Sequence, residues 1–462
     1  MIRLFKHYVP HTVLLIGVID FVLLMIAAEA AWVLRAWQIG MAVTPIVDRV
    51  PQILTFAVAL SAAMVAVGAY GVEALQSLRF AMARLLVAIS LGVILISVLA
   101  FFFPGATLWR SNSLYAMIIA AGMLIGQRIL LGEMMGGDAF RRRVLILGAG
   151  PRAARIGELA SRRGASFIIV GNVGMNDGAE VVAGSVNRND IPNLAAHVER
   201  LGASEVVLAL EERRNALPLA DLLRVKTTGV HVNDLSSFFE RETGRVDLDS
   251  VNPSWLIFSD GFSSGQMVAS FAKRLVDIAV SLLAIVLFAP VILLTAAIIK
   301  LESPGPAFFR QRRVGLFGEH FEILKLRSMR QDAEVGGKAV WAQKDDPRVT
   351  RVGAFIRKVR IDELPQAWSV LRGDMSFVGP RPERPQFVLD LEARLPFYAE
   401  RHMVKPGITG WAQVNYPYGA SIEDARHKLE YDLYYAKNYT PFLDILIILQ
   451  TVRVVLWHDG AR

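Results

Sequence analysis

Four long apolar runs open the chain, at roughly 12–36, 51–70, 81–103 and 114–131. Each comes close to the ~20 residues that a helix needs to cross a bilayer core. After residue 140 the pattern changes. Val144-Leu145-Ile146-Leu147 is a solid apolar tetrad, the mark of a strand covered on both faces. Gly148-Ala149-Gly150-Pro151-Arg152-Ala153 follows as G-x-G-x-x-A and predicts a strand-to-helix turn, with the helix running to about Arg162. Further strands are predicted over 167–170, 205–210 and 229–232, which makes 140–260 a Rossmann-like half-fold. Residues 235–268 read as an irregular linker. Another apolar run, 275–299, is broken only by Asp277 and Pro290. Beyond it, 321–329 alternates with period two and would put Lys325 and Arg327 on one face of a strand. The stretch 441–457 carries Asp444, Gln450 and Arg453 among apolar residues and reads as an interfacial amphipathic helix.

Composition supports the membrane reading. Hydrophobic residues make up 53% and mean hydropathy is +0.40, while charged residues still reach 20%. The first run is too long for a cleaved signal and lacks an A-x-A site, so it reads as an anchor. Lys and Arg cluster on one side of the four runs (Arg3, Lys6, Arg79, Arg84, Arg128, Arg141, Arg142, Arg143), against Arg35, Arg49 and Arg110 on the other. The positive-inside rule then places the N-terminus and everything after residue 140 in the cytoplasm. A soluble helical core is the competing reading. The run at 275–299 has Lys273-Arg274 before it and Lys300, Arg310, Arg312 and Arg313 after it, so both flanks favour the cytoplasm. It therefore reads as a re-entrant helix over 273–300 that breaks at Ala289-Pro290. A fifth spanning helix is the alternative, and it would export the basic C-terminal third. The predicted fold class is a membrane protein, α plus α/β. Its parts are four transmembrane helices in 1–135, a Rossmann-like domain in 140–260 and a mixed α/β domain in 270–462. The net charge of +8 and pI near 9.7 suit anionic lipid and anionic substrates. The basic residues are dispersed and no recognition motif appears, so nucleic acid is not an expected partner. The absence of cysteine removes disulfide, thiolate and Cys-ligated metal chemistry.

The densest chemical signal is Ile361-Asp362-Glu363-Leu364-Pro365-Gln366, followed by the loop from Gly373 to Pro382. A carboxylate can attack phosphorus as a covalent nucleophile, and a neighbouring one can hold a divalent metal that neutralises phosphate charge. Arg381, held between Pro380 and Pro382, suits rigid bidentate phosphate binding. Gly148 and Gly150 could cradle a nucleotide phosphate at a helix N-terminus. The second strand, however, reads as ending at Gly171-Asn172 with no acidic residue for a ribose, which favours a structural or dimerising role.

Residues from about 271 onward resemble the bacterial sugar transferase family, the catalytic module of the monotopic phosphoglycosyl transferases. The matching strings are Lys273-Arg274-Leu275-Val276-Asp277, Ser303-Pro304-Gly305-Pro306, Arg310-Gln311, Arg313-Val314-Gly315 and Lys325-Leu326-Arg327-Ser328-Met329. They continue with Asp346-Pro347-Arg348-Val349-Thr350, Asp362-Glu363-Leu364-Pro365-Gln366, the 373–382 loop and Pro406-Gly407-Ile408-Thr409-Gly410-Trp411. The whole layout is similar to the large members that initiate exopolysaccharide or capsule synthesis. The opening Met1-Ile2-Arg3-Leu4-Phe5-Lys6-His7-Tyr8-Val9-Pro10 looks like the subgroup linked to protein-sorting (PEP-CTERM/exosortase) loci.

The resemblance implies transfer of a sugar-1-phosphate from a nucleoside diphosphate sugar, usually a UDP-hexose, to undecaprenyl phosphate, with release of UMP. It implies that Asp362 is the nucleophile and that Glu363 is its Mg²⁺-associated partner. Arg381 would meet the nucleotide end of the donor. Arg310, Gln311, Arg313, Lys325, Arg327, Asp374, Pro380 and Pro382 would line the substrate site, some of the basic ones meeting anionic lipid instead. The expected location is the bacterial inner membrane with the catalytic domain in the cytoplasm; a homodimer and the ligand of the Rossmann-like domain stay open. The family often has Ser before the helix-breaking proline, where this chain has Ala289. The alternative from another class is a membrane-anchored NAD-dependent nucleotide-sugar dehydratase or epimerase using the Gly148 loop. Such chemistry usually needs Tyr-x-x-x-Lys, and no Tyr here has Lys four residues on. A sugar-sensing scaffold is the non-enzymatic option, and it leaves Asp362-Glu363 unexplained.

Overall fold

The structure, a computed structural model, describes the chain apart from residues 1, 5–6, 44, 72–73, 76–77, 135–140, 163–164, 176–180, 212–216, 252–266, 332, 334–345, 418, 420 and 458–462. Five helices among the described residues are long and apolar enough to cross a membrane: Val13–Ile39, Ile46–Val67, Leu78–Phe102, Pro104–Leu130 and Lys273–Glu302. The chain combines these helices with a parallel sheet and is a membrane α/β protein. The first four spans fall on α1 (His11–Ile39), α2 (Val50–Val67), α3 (Leu78–Phe102) and α4 (Arg110–Met134). α1 packs chiefly on α4. Fully buried Ala27 and Ala31 on α1 and Ala116 and Ala120 on α4 allow helices to approach closely.

Two ion pairs inside this bundle were not singled out by the hydropathy pattern. Asp20 meets Arg128 at 2.7 Å, and Glu29 meets Arg49 at 2.7 Å. A charge in such a helix is stable only when paired, so these act as polar fasteners between apolar surfaces. Both arginines had counted as loop charges in the orientation argument, and both are buried. Removing one from each side leaves the bias unchanged.

The Rossmann-like sheet is parallel, in the order β3-β2-β1-β4-β5. Its strands are β1 (Arg142–Leu147), β2 (Phe167–Gly174), β3 (Val186–Asn187), β4 (Glu205–Leu208) and β5 (His231–Asp234). Helices α5 (Pro151–Ser161), α6 (Leu194–Arg200) and α7 (Leu219–Thr227) connect them. Alternate β1 residues feed two separate cores. Val144 and Ile146 face one, and Leu145 and Leu147 face the other, as an apolar tetrad covered on both faces requires. β2 runs on to Gly174, past the expected end at Gly171-Asn172, because Leu145, Ile146 and Leu147 continue its ladder. Part of the expected linker is regular. Leu235–Thr243 forms α8, capped by the Asp234 side chain at its start and by left-handed Gly244 at its end.

The glycine turn is required by close packing. Gly148 has φ +131°, and a Cβ there would lie 2.4 Å from Ala209 O. Gly148→Val should therefore destabilise this domain by more than about 2 kcal/mol while leaving per-molecule activity of the Asp362-Glu363 site near normal. Hydrogen exchange across β1 and β4, alongside an activity assay, checks both halves of that expectation. The anion position at the start of α5 is taken by the chain itself. The Arg152 amide donates to Glu211 Oε1 at 2.8 Å. A carboxylate already sits where a nucleotide phosphate would bind Gly148 and Gly150.

The C-terminal unit begins with α9 (Met267–Glu302), a single helix with Pro290 inside it. The expected break at Ala289-Pro290 does not end the element; proline removes one hydrogen bond and leaves the helix otherwise continuous. A tight antiparallel hairpin follows, β6 (Phe308–Val314) with β7 (His320–Leu326). Next come α10 (Arg351–Lys358), a 3-10 turn at Ile361–Gln366, α11 (Ala367–Arg372) and β8 (Ser376–Val378). The unit closes with α12 (Pro385–Arg394), β9 (Gly407–Thr409), α13 (Trp411–Asn415), α14 (Ile422–Asn438) and α15 (Pro441–Trp457). In α15 the polar residues face inward. Asp444 bonds Lys273 and Tyr435, Thr451 bonds Thr409, and Arg453 donates to Val414 O. The stripe read from sequence as facing water is the stripe that docks this helix on its own domain.

Candidate active site

Asp362 and Glu363 lie on the 3-10 turn, and both are buried. The residue before the turn, Arg360, has φ +61°, a conformation that side chains other than glycine rarely adopt and that costs of order 1–3 kcal/mol. Such strain is characteristic of functional sites. It swings the two carboxylates to the inner face of β7, and Lys325 Nζ meets Glu363 Oε1 at 3.1 Å. Arg381 NH2 reaches the same oxygen at 2.6 Å, and Arg360 lies 3.6 Å from Oε2. Burial alone would raise Glu363, but the charges of Arg381, Lys325 and Arg360 outweigh it and hold the group well below the usual range. Asp362 goes the other way. Burial first and the Glu363 charge second push it up to about 6, against Lys325, Arg381 and Arg360. Its Oδ1 is buried without a hydrogen-bond partner. Two adjacent carboxylates thus take different characters: one locked as an anion, the other poised near neutrality with a lone pair unengaged.

The loop that carries Arg381 is held by backbone contact. β8 pairs in parallel with β9, Ser376 opposite Gly407 and Val378 opposite Thr409. Gly379 N donates to Thr409 O and Gly407 N to Pro380 O, each at 2.9 Å. A Cβ on Gly379 would lie 2.2 Å from Lys405 O, so the two strings can meet this closely only with glycine. Arg313 donates to Pro382 O at 3.0 Å and to Gln311 Oε1 at 2.5 Å, and burial lowers its pKa to about 10.

The structure sorts the remaining expected site residues. Lys325, Arg313, Gln311, Pro380 and Pro382 gather with Arg381 around the carboxylates or directly behind its loop. Arg327 does not share the face of Lys325. It lies just past the end of β7, buried, and donates to Ser303 O at 2.8 Å and Pro304 O at 2.7 Å, so it braces a turn. Arg310 is largely exposed on the hairpin, 3.9 Å from Glu322. Asp374 pairs with Arg372 at 3.3 Å beside the end of α11.

Sequence reasoning matched Lys273, Arg274 and Asp277 as a string but missed what they do. From one turn of α9, Arg274 donates to Val370 O and Leu371 O at the end of α11. Asp277 Oδ1 accepts from Ser376 Oγ and Phe377 N. Lys273 donates to Val378 O, Tyr435 OH and Asp444 Oδ2. Together they tie the segment after the carboxylate pair and the strand before Arg381 to one membrane helix. The available signal was three charges at i, i+1 and i+4 leading an apolar run, too costly there to be unpaired.

Comparison with known proteins places the chain. The family described as Bacterial sugar transferase matches residues 268–458. An Aeromonas hydrophila UDP-N-acetylgalactosamine-undecaprenyl-phosphate N-acetylgalactosaminephosphotransferase is 47% identical over 241 residues, 52% of this chain and 56% of that protein. A Caulobacter vibrioides UDP-glucose:undecaprenyl-phosphate glucose-1-phosphate transferase is 46% identical over 198 residues, 42% of this chain and 74% of that protein. An Escherichia coli (strain K12) protein of the same name is 42% identical over 182 residues, 39% of each chain. The match thus spans little more than half of the Aeromonas relative and most of the Caulobacter one. This chain belongs to the bacterial sugar transferase family.

Proposed function

We propose that the protein transfers a sugar-1-phosphate from a UDP-sugar to undecaprenyl phosphate, releasing UMP, as the first step of building an exopolysaccharide. The carrying observation is the divergence of the two adjacent carboxylates, set in a cluster of Lys325, Arg360 and Arg381. Asp362 attacks the sugar-bearing phosphorus, and a new P–O bond forms as the bond to the bridging oxygen breaks. UMP leaves with that electron pair. An oxygen of the lipid phosphate then attacks the phospho-aspartate, and Asp362 regains its carboxylate. Splitting the transfer keeps two polyanions from having to meet at once. Glu363 anchors Lys325 and Arg381 where phosphate oxygens must sit.

The donor set fits Mg²⁺. It is all oxygen, Asp362 Oδ1 is unpartnered, and Glu363 Oε2 faces only Arg360 at 3.6 Å among its ion pairs. No group of three His, Asp or Glu side chains gathers there among the described residues, so phosphate oxygens would complete the shell. When bound, the ion would neutralise diphosphate charge.

The same reading takes 1–135, 140–260 and 270–462 as membrane, Rossmann-like and catalytic domains in an inner membrane, with catalysis on the cytoplasmic side and α9 re-entrant. Support for re-entry is that both ends of α9 dock on one domain. Lys273, Arg274 and Asp277 bind α11, β8 and α15, while Ile299 shares a core with Ala307, Leu326 and Ile356. Between them Leu283, Val286, Leu287, Leu293 and Leu294 are exposed. A domain cannot lie on both sides of a membrane, so an apolar helix with both ends held on one domain suits entry and return better than a span. A single reporter cysteine, Leu389→Cys, on exposed α12 of this cysteine-free chain should resist an impermeant thiol reagent in intact cells. Labelling there would favour a fifth span. The Glu211 carboxylate at the start of α5 supports a non-catalytic role for the Rossmann-like domain. Release of UMP from a panel of UDP-sugars, dependent on added undecaprenyl phosphate for steady turnover, tests the function; no release from any donor would reject it.

A further inference from the structure

The loop that carries Arg381 is fixed from outside. Pro380 and Pro382 have no N–H, so two of its amides cannot donate, and each carbonyl from 380 to 383 accepts from another part of the domain. Gly407 N donates to Pro380 O at 2.9 Å, and Val314 N donates to Glu383 O at 3.0 Å. Guanidinium groups meet the two between them. Arg313 donates to Pro382 O and Arg401 to Arg381 O, each at 3.0 Å.

Arg401 lies outside every string singled out in the sequence. It sits on a 3-10 turn, Ala399–Met403, and is 5% exposed. Its Nε and Nη2 donate to Asp432 Oδ2 at 3.1 and 2.7 Å, and Nη1 donates to the Tyr398 hydroxyl at 3.2 Å. Asp432, on α14, is itself buried and supplies the counter-charge that a buried guanidinium requires. All three nitrogens are thus engaged by the protein, around a planar fork that a lysine ammonium cannot reproduce. The link from Arg401 toward the carboxylate pair runs through the Arg381 backbone. The Arg381 side chain is long and partly exposed, and it ends 2.6 Å from Glu363 Oε1. Its reach is set only if the backbone it starts from is held. Resting on the transferase reading above, we infer that Arg401 is a positioning residue: balanced by Asp432, it clamps the Arg381 carbonyl and so sets where the Arg381 guanidinium meets Glu363. It acts on the reaction through Arg381 alone.

A double-mutant cycle with Arg381→Ala tests this. The readout is kcat/KM for UMP release by full-length protein in detergent, with undecaprenyl phosphate and either UDP-glucose or UDP-N-acetylgalactosamine. Arg401→Lys keeps the charge opposite Asp432 and loses the fork. Alone it should lower kcat/KM about tenfold or more, as a displaced catalytic contact does. In the Arg381→Ala background it should cost nothing further, because the group it positions is gone. Losses that multiply in the double variant would show that Arg401 touches substrate or supports the fold at large, and the inference falls. A single variant as active as the wild type also overturns it. Hydrogen exchange gives a readout without turnover. The Gly379, Arg381 and Glu383 amides should exchange faster in Arg401→Lys while the β6–β7 ladder is unchanged; acceleration in both, or in neither, rejects the clamp. If Arg401→Lys does not fold, Tyr398→Phe removes one acceptor of the same guanidinium and enters both measurements in its place, with an expected loss of about threefold or more. If the wild type releases UMP from neither donor, the transferase reading fails and the exchange result alone decides the clamp.

Discussion

Asp362→Asn should lower turnover by a thousandfold or more, at least about 4 kcal/mol in the barrier, because an amide cannot form the covalent phosphoryl intermediate of the proposed mechanism. Size and hydrogen-bonding shape are conserved, and the Glu363 contacts to Lys325, Arg360 and Arg381 do not involve Asp362. Folding should therefore survive, and the lost UMP burst should be the main effect. The raised pKa of the wild-type group adds a second signature. An acid pushed up to about 6 is protonated, and so not nucleophilic, below that pH. The kcat/KM for the donor should fall about tenfold per pH unit below pH ~6 and level off above it. Glu363, held well below its ordinary range, should add no second inflection there. Near-normal turnover by the Asn variant, or a profile flat through pH 5, would reject Asp362 as the nucleophile.

Lys273→Met should destabilise the catalytic domain by about 3–5 kcal/mol, because it leaves a buried carboxylate without its counter-charge. The Asp444 side chain is 4% exposed, its Oδ2 lies 2.6 Å from Lys273, and its other oxygen accepts from the Tyr435 hydroxyl at 2.7 Å. For a domain of this size, that corresponds to a melting temperature lower by roughly 6–20 °C. The double variant Lys273→Met, Asp444→Leu should recover most of the loss, since an apolar pair of similar volume replaces a buried ion pair at little cost. Scanning calorimetry on detergent-purified protein measures both. A shift under about 1 kcal/mol in the single variant, or no recovery in the double, would mean that the pair does not fasten the membrane helix to the domain. Activity should fall with stability in the single variant, because Lys273 also donates to Val378 O, three residues before Arg381.

Much of this protein follows from local pattern. Runs of some twenty apolar residues must be helices in a membrane, since no other unclosed backbone satisfies its own hydrogen bonds there. The Val144–Leu147 tetrad, the Gly148 turn and the period-two stretch leading to Lys325 are short-range signals, and each formed the element it announced. The adjacency of Asp362 and Glu363 is covalent, so it too was legible. What the two carboxylates become was not. Asp362 is pushed up and Glu363 held down because Lys325, Arg360 and Arg381 converge from a strand, a strained turn and a distant loop onto one oxygen pair, and a chain read in order carries no record of such distances. Arg327 is two residues from Lys325 in sequence, yet it braces a turn, because the strand ends between them. Arg128 and Arg49 read as loop charges until Asp20 and Glu29 are seen opposite them. The polar stripe of α15 points inward for the same reason: the sequence sets which residues are polar, and only the packed tertiary structure, by supplying a partner for each buried charge, decides which side of the helix is inside.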